Sequence, residues 1–209
     1  MTTQQPIKAL FLDIGGVLLT NGWDRHARKR AAQKFNLDPD QLDERHHLTF
    51  DTYESGKLSL DDYLTRIIFY EPRAFSRAEF SRFIMEQSEP FPDMIRLIGD
   101  LKKQYGLRLI AVNNEGREIN GYRIATFGLN TLFDAFVSSC YVHLRKPDPD
   151  IFRLALDIGQ VEPGEVLYID DRLMFVQIAH TLGMNCFQHL NYESTRQQLA
   201  SMGLSLADH

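Results

Sequence analysis

The sequence predicts an α/β protein: a doubly wound, Rossmann-like parallel sheet with an inserted all-helical cap. Three observations predict it. Short, nearly continuous apolar runs alternate with segments of helical period through the second half of the chain, the pattern of strands buried on both faces. One further run stands alone near the start, at residues 7–12. Between them, residues 21–89 carry helical periodicity and no strand.

Residues 7–12 form the first strand. The first cap helix shows Ala27, Ala31 and Phe35 on one face. The second opens with Asp38-Pro39, an N-cap followed by proline in the first turn, and carries Leu42 and His46. "SLDD" at 59–62 starts a third, with Tyr63, Leu64, Ile67 and Ile68 at helical spacing. "SRAE" at 76–79 is a capping box for a fourth, with Phe80, Phe83 and Ile84 inside. After "EPFPD" the rhythm changes. A helix over 93–104 precedes a strand at 107–112, and a helix over about 116–127 follows it. A strand at 135–139, a helix capped by Asp148-Pro149, a strand at 165–169, a helix to about 182, a strand at 185–188 and a last helix complete the weave. The expected division is residues 1–20 plus 90–209 for the core and 21–89 for the cap.

Composition narrows the function. The chain has 209 residues, 44% of them hydrophobic, enough for one sizeable core. A net charge of −5 with no long Lys/Arg block argues against nucleic acid or an anionic membrane as partner. Two cysteines, Cys140 and Cys186, without a CxxC spacing indicate neither a zinc site nor a disulfide framework and read as buried, reduced thiols. "MTTQQPIK" lacks a signal pattern, and no apolar run is long enough to span a bilayer. The expectation is a cytoplasmic protein.

In such sheets ligands bind beyond the carboxyl ends of the strands. Polar residues fall there: Asp13 after strand one, Asn113 and Asn114 after the next core strand, Asp170 and Asp171 after the strand at 165–169, and Lys146 on a nearby loop. Each alone reads as a cap, a turn or a solvated loop residue. Together and in order they suggest chemistry. Three carboxylates at one rim repel unless a cation sits between them, and Mg2+ with oxygen ligands, some from a substrate phosphate, resolves this. Asp13 could then attack phosphorus to give an aspartyl-phosphate. Lys146 would neutralise the phosphoryl oxygens, and Asn113 or Asn114 would donate to them.

These motifs resemble those of the haloacid dehalogenase superfamily, in the subclass with a helical cap after strand one. "FLDIGGVLL" is similar to its nucleophile motif, D-x-D-G-[TV], "IAVNN" to its second, Lys146 in "RKPDPDIF" to its third, and "VLYIDDR" to its fourth. The resemblance implies Asp13 as nucleophile and a magnesium site of Asp13, the Gly15 carbonyl and Asp171, with Asp170 beside it. Two departures stand out. Gly15 replaces the second aspartate, whose side chain serves in the family as general acid and base, and Asn113 replaces a Ser or Thr. Gly15 keeps a carbonyl for the metal but loses a proton-transfer group worth roughly 10²–10⁴ in rate. Glu115, His26 and Asp24 are the candidates to replace it.

The function expected is a magnesium-dependent phosphatase acting on a small phosphorylated metabolite. A 2-haloacid dehalogenase, which needs no proton for its halide, is the alternative; a weakened phosphate-binding regulatory module is another. "TNGWDRHAR" at 20–28 is the expected substrate-facing stretch of the cap, with Trp23 either stacking on a substrate ring or, the preferred reading, anchoring the cap.

Overall fold

Strand β1 (Ala9–Leu12) shows why the sheet is sandwiched. Its side chains alternate, Leu10 and Leu12 entering one apolar layer and Ala9 and Phe11 the other, and all four are fully buried. The computed structural model describes residues 6–206; residues 1–5, part of the segment read for a signal pattern, and 207–209 lie outside the described residues. Strands β2 (Arg108–Asn113), β3 (Ala135–Ser138), β4 (Val166–Asp170) and β5 (Asn185–Gln188) join β1 in one parallel sheet of order β3-β2-β1-β4-β5. β1 is central, with Leu10 paired to Leu109 on one side and Leu167 on the other. The chain order therefore reverses at β1, which opens a crevice at its carboxyl end.

The insert contains five helices, α1 (Arg25–Phe35), α2 (Pro39–His47), α3 (Phe50–Glu54), α4 (Leu60–Ile67) and α5 (Arg77–Met85), where four are expected from periodicity. α3 has five residues, little more than one turn, too short to display a period. Asp24, Asp38, Ser59 and Ser76 each cap a helix by accepting a hydrogen bond from a first-turn N–H. These helices bury an aromatic-rich cluster of their own, separate from the layers on the sheet. Trp23 anchors it: its Nε1–H donates to the Tyr63 hydroxyl at 2.9 Å, its ring meets Phe80 edge-on, and Tyr63 in turn lies 2.7 Å from His46 Nδ1.

Helices α6 (Pro92–Tyr105), α7 (Arg117–Thr126), α10 (Asp150–Gly159), α11 (Leu173–Thr181) and α12 (Tyr192–Ser201) alternate with the strands, and two single-turn helices, α8 (Leu129–Leu132) and α9 (Ser139–Val142), flank β3. α6 and α12 cover one face of the sheet, α10 and α11 the other. The chain crosses between sheet and insert at two adjacent points. Leu19 bridges Pro90, Thr20 N–H donates to Glu89 O at 2.8 Å, and the Thr20 hydroxyl donates to Gln87 O at 2.8 Å. Cys140 is buried as expected; Cys186, on the outer strand β5, is only half-buried, and the two are not bonded to each other. Among the described residues no helix is long and apolar enough to cross a membrane.

Candidate active site

Asp13 follows β1 directly and its N–H continues the ladder to Ile169 O at 3.0 Å, so the sheet itself sets the position of this carboxylate. Its Oδ1 accepts from Ile14 N–H at 2.9 Å and lies 3.2 Å from Lys146 Nζ. Lys146, 1% exposed, also donates to Asp170 Oδ2 at 2.7 Å, an oxygen that accepts from the Tyr168 hydroxyl as well. The other oxygen of Asp170 accepts from Arg172 N–H at 2.7 Å. Asp171 Oδ2 accepts from Asn21 Nδ2 at 3.0 Å, whereas its Oδ1 is buried with no partner. One oxygen from each of Asp13, Asp170 and Asp171 falls within 4.8 Å of the others.

Charge in this cluster does not balance. Burial pushes Asp13 up to about 7; Lys146 pulls against it, and Asp170 and Asp171 add to it. Asp171 is likewise raised, chiefly by burial. Burial opposes the charge on both Lys146 and Asp170, but their charged neighbours prevail: Asp13 and Asp170 hold Lys146 above the usual range, and Lys146 holds Asp170 below it. One lysine therefore serves three carboxylates, and the unpartnered Asp171 oxygen is free to meet a cation. An all-oxygen donor set suits a hard divalent ion such as Mg2+. Gly16 makes the approach possible. Its φ is +74°, and a Cβ there would stand 2.3 Å from Asp171 Oδ2 and 2.9 Å from Asn21 Nδ2.

The two asparagines behave differently. Asn114 lines the cavity and clasps the lysine loop, donating to Lys146 O at 2.7 Å and accepting from Lys146 N–H at 2.9 Å. Asn113 is buried off the cavity: its amide donates to Asn120 Oδ1 at 3.0 Å and accepts from the Ser138 hydroxyl at 2.7 Å. Adjacent residues at a strand end face opposite ways, and of the pair only Asn114 lines the cavity.

The cavity lies between this rim and the helical insert. Asp13, Gly15, Asn114, Glu115 and Lys146 line it from the sheet; Trp23, Arg28, His46 and Tyr53 are among those lining it from the insert. Of the three proton-transfer candidates, His26 is exposed on α1 and is not on the cavity wall. Asp24 reaches the cavity but accepts from Ala27 N–H as a cap. Glu115 is buried in the wall, 3.1 Å from Arg123 Nη1, and burial pushes it up to about 7 against the pull of that guanidinium. Arg123, Asn21 and Tyr168 were not among the residues expected from sequence. Arg123 and Tyr168 sit in ordinary helix and strand patterns, with no local signal; Asn21 lies inside the quoted cap stretch.

The sequence model of a family described as haloacid dehalogenase-like hydrolase matches residues 7–183. The chain is 32% identical over 108 residues to bifunctional epoxide hydrolase 2 of Sus scrofa, covering 50% of this chain and 19% of that protein. It is 24% identical over 193 residues to the phosphoglycolate phosphatase of Thiobacillus denitrificans, covering 87% and 82%. The chain spans less than a quarter of the length of several curated relatives it matches. A HAD family enzyme from Bacteroides thetaiotaomicron, solved in complex with magnesium and inorganic phosphate, superposes with a TM-score of 0.73 at 19% identity, over 90% of this chain and 98% of that one. L-2-haloacid dehalogenase from Xanthobacter autotrophicus, with chloropropionic acid covalently bound, superposes at 0.61 and 18% identity, over 96% and 85%. At these identities the structural likeness is one of fold.

Proposed function

The chain belongs to the haloacid dehalogenase-like hydrolase family, and from that premise we propose that it is a magnesium-dependent phosphomonoester hydrolase working through an aspartyl-phosphate on Asp13. The observation that carries this reading is the uncompensated carboxylate cluster, with Asp171 Oδ1 buried and unpartnered. A carboxylate substrate awaiting dehalogenation would add negative charge beside that cluster; a cation shared with a phosphate would neutralise it.

In this reading residues 1–20 and 90–209 form the catalytic core and 21–89 the cap that closes over a small phosphorylated metabolite. Asp13, Asp171 and the Gly15 carbonyl hold Mg2+, with Asp170 beside them. When bound, the ion supplies positive charge to the phosphoryl oxygens. A carboxylate oxygen of Asp13 attacks phosphorus as the bond to the leaving oxygen breaks. Lys146 steadies that carboxylate and neutralises charge on the phosphoryl group. Asp170 and Tyr168 hold the lysine ammonium, and Asn114 holds its backbone. Water then attacks phosphorus, the Asp13–phosphorus bond breaks, and phosphate leaves. Asn113 is removed from phosphate contact by its internal hydrogen bonds.

A panel of phosphate monoesters, assayed with Mg2+ and with chelator alongside 2-chloropropionate, tests the reading. Chelator-sensitive phosphate release is expected. Chelator-indifferent chloride release would replace it with the dehalogenase.

A further inference from the structure

Gly15 lacks a side chain, but the place one would occupy already has a charged neighbour. A Cβ at position 15 would lie 3.6 Å from Arg123 Nη1, and that same nitrogen is 3.1 Å from Glu115 Oε2. A carboxylate is thus held one guanidinium away from the missing one, on the wall of the same cavity. It comes from the loop between β2 and α7 instead of from β1.

The other acids of the cavity are engaged elsewhere. Asp13 belongs to the metal cluster, Asp24 caps α1, and Glu54 takes both Nε and Nη2 of Arg145 on one oxygen. Glu115 has one oxygen on Gly116 N–H at 3.0 Å and the other beside Arg123. Arg123 is fixed in turn: its Nη2 donates to Thr20 O at 2.9 Å and its Nε to the Ser88 hydroxyl at 3.0 Å, one group on each chain crossing between sheet and insert. The acid is therefore held by a buried side chain, itself tied to both hinges, and needs no freedom of its own.

We propose that Glu115 is the general acid and base of this hydrolase, taking the role that Gly15 leaves open, with Arg123 as its positioning residue. The inference rests on the phosphatase reading above. In the first half-reaction the Asp13 oxygen–phosphorus bond forms, the phosphorus–leaving-group bond breaks, and the Glu115 proton passes to the leaving oxygen. In the second, the Glu115 carboxylate takes a proton from water as that water's oxygen bonds to phosphorus, and Asp13 is released as carboxylate. Charged and titratable groups face Glu115 from each neighbour: Arg123 on α7, Tyr53 and Glu54 on α3, Tyr63 on α4 and Cys140 on α9. Burial, which outweighs Arg123, raises Glu115 to about 7, so both forms that the cycle needs are populated near neutrality.

The test compares p-nitrophenyl, phenyl and glycerol phosphates, all with Mg2+, on the wild type, Glu115→Gln and Glu54→Gln. A general acid makes the wild-type rate depend weakly on leaving-group basicity. Glu115→Gln, which keeps an acceptor for Arg123, should lower kcat/KM for glycerol phosphate, which reports the first half-reaction, by about 10²–10⁴ while kcat/KM for p-nitrophenyl phosphate falls less than about tenfold. It should also remove the alkaline limb from the pH profile of kcat/KM for glycerol phosphate. An equal fall of kcat/KM on all three esters would make Glu115 a structural partner of Arg123 and overturn the inference. So would the split appearing in Glu54→Gln instead. If Glu115→Gln does not fold, the wild type decides alone, because a steep leaving-group dependence means that no general acid is present. A wild type that cleaves no monoester overturns the phosphatase reading, and this inference with it; the other failures leave that reading standing.

Discussion

On the floor of the cavity Lys146 faces Asp13, Asp170 and, close by, Asp171; on the hinge wall Arg123 faces Glu115 alone. Both cations are buried, and both arise from the core. The floor carries more negative charge than its lysine can neutralise and leaves an oxygen without a partner. The wall pairs one charge with one charge and adds bonds from Arg123 to Thr20 and Ser88. The difference separates three acids gathered around one lysine from one acid set against a guanidinium that also ties both chain crossings. Buried carboxylates without compensation are costly, which is why Asp13 and Asp171 are held above the usual range.

The largest effect should come from the floor. Asp13→Asn removes the nucleophile and one repelling charge together. Turnover should fall by about 10⁴-fold or more, with the melting temperature of the metal-free protein unchanged or raised. Steady-state assay and thermal melts check both halves; near-normal turnover would take Asp13 out of the chemistry. Asp171→Ala comes next, costing about 10³-fold if several kcal/mol of charge stabilisation depend on the cation. A readout independent of turnover accompanies it: Mg2+ should raise the melting temperature of the wild type and leave that of Asp171→Ala where it is.

The wall should respond in stability. Arg123→Met strands Glu115 and unties both crossings, and should destabilise the protein by about 3–5 kcal/mol in denaturant titration. Adding Glu115→Leu should recover a large part of that loss, as replacing a whole buried pair by apolar groups usually does. If the double variant is no better than the single, the bonds to Thr20 and Ser88 outweigh the ion pair.

The smallest effect is a pH dependence. Glu115 is raised to about 7 in the folded chain from an ordinary 4.5, so the native state holds its proton longer than the unfolded state does. Ionising it in place is unfavourable, and stability should decline as pH rises from 4.5 to 7, by up to about 1.4 kcal/mol per unit. The decline should be shallower in Glu115→Gln, where Asp13, also raised to about 7, still contributes. A wild type and variant with parallel stability curves across that window would mean that Arg123 fully compensates the carboxylate.

Much of the fold was legible because it is local. β1 announces itself as an unbroken apolar run, and Asp38, Ser59 and Ser76 announce helix starts by side-chain chemistry within three residues. The single-turn helices α8 and α9 and the five-residue α3 were not legible, since a period needs at least two turns to show. In the site, Asp13, Lys146, Asp170 and Asp171 could be named because they end strands or lead loops at one rim. Asn113 and Asn114 could not be told apart, because which of two neighbours faces the rim depends on how the strand end is seated.

The sequence by itself determined the alternation of strands and helices, the helical insert and the set of polar residues at the strand ends. Hydrophobic period and capping act over a few residues and leave their mark in order. Only the tertiary structure decided that Asn21 meets Asp171 across 150 positions, that Arg123 meets Thr20 across 103, and that Glu115 stands beside the gap at Gly15. Those contacts join segments whose own patterns are complete without them. Their energy comes from burial and pairing in three dimensions, and it leaves no period in the chain to read.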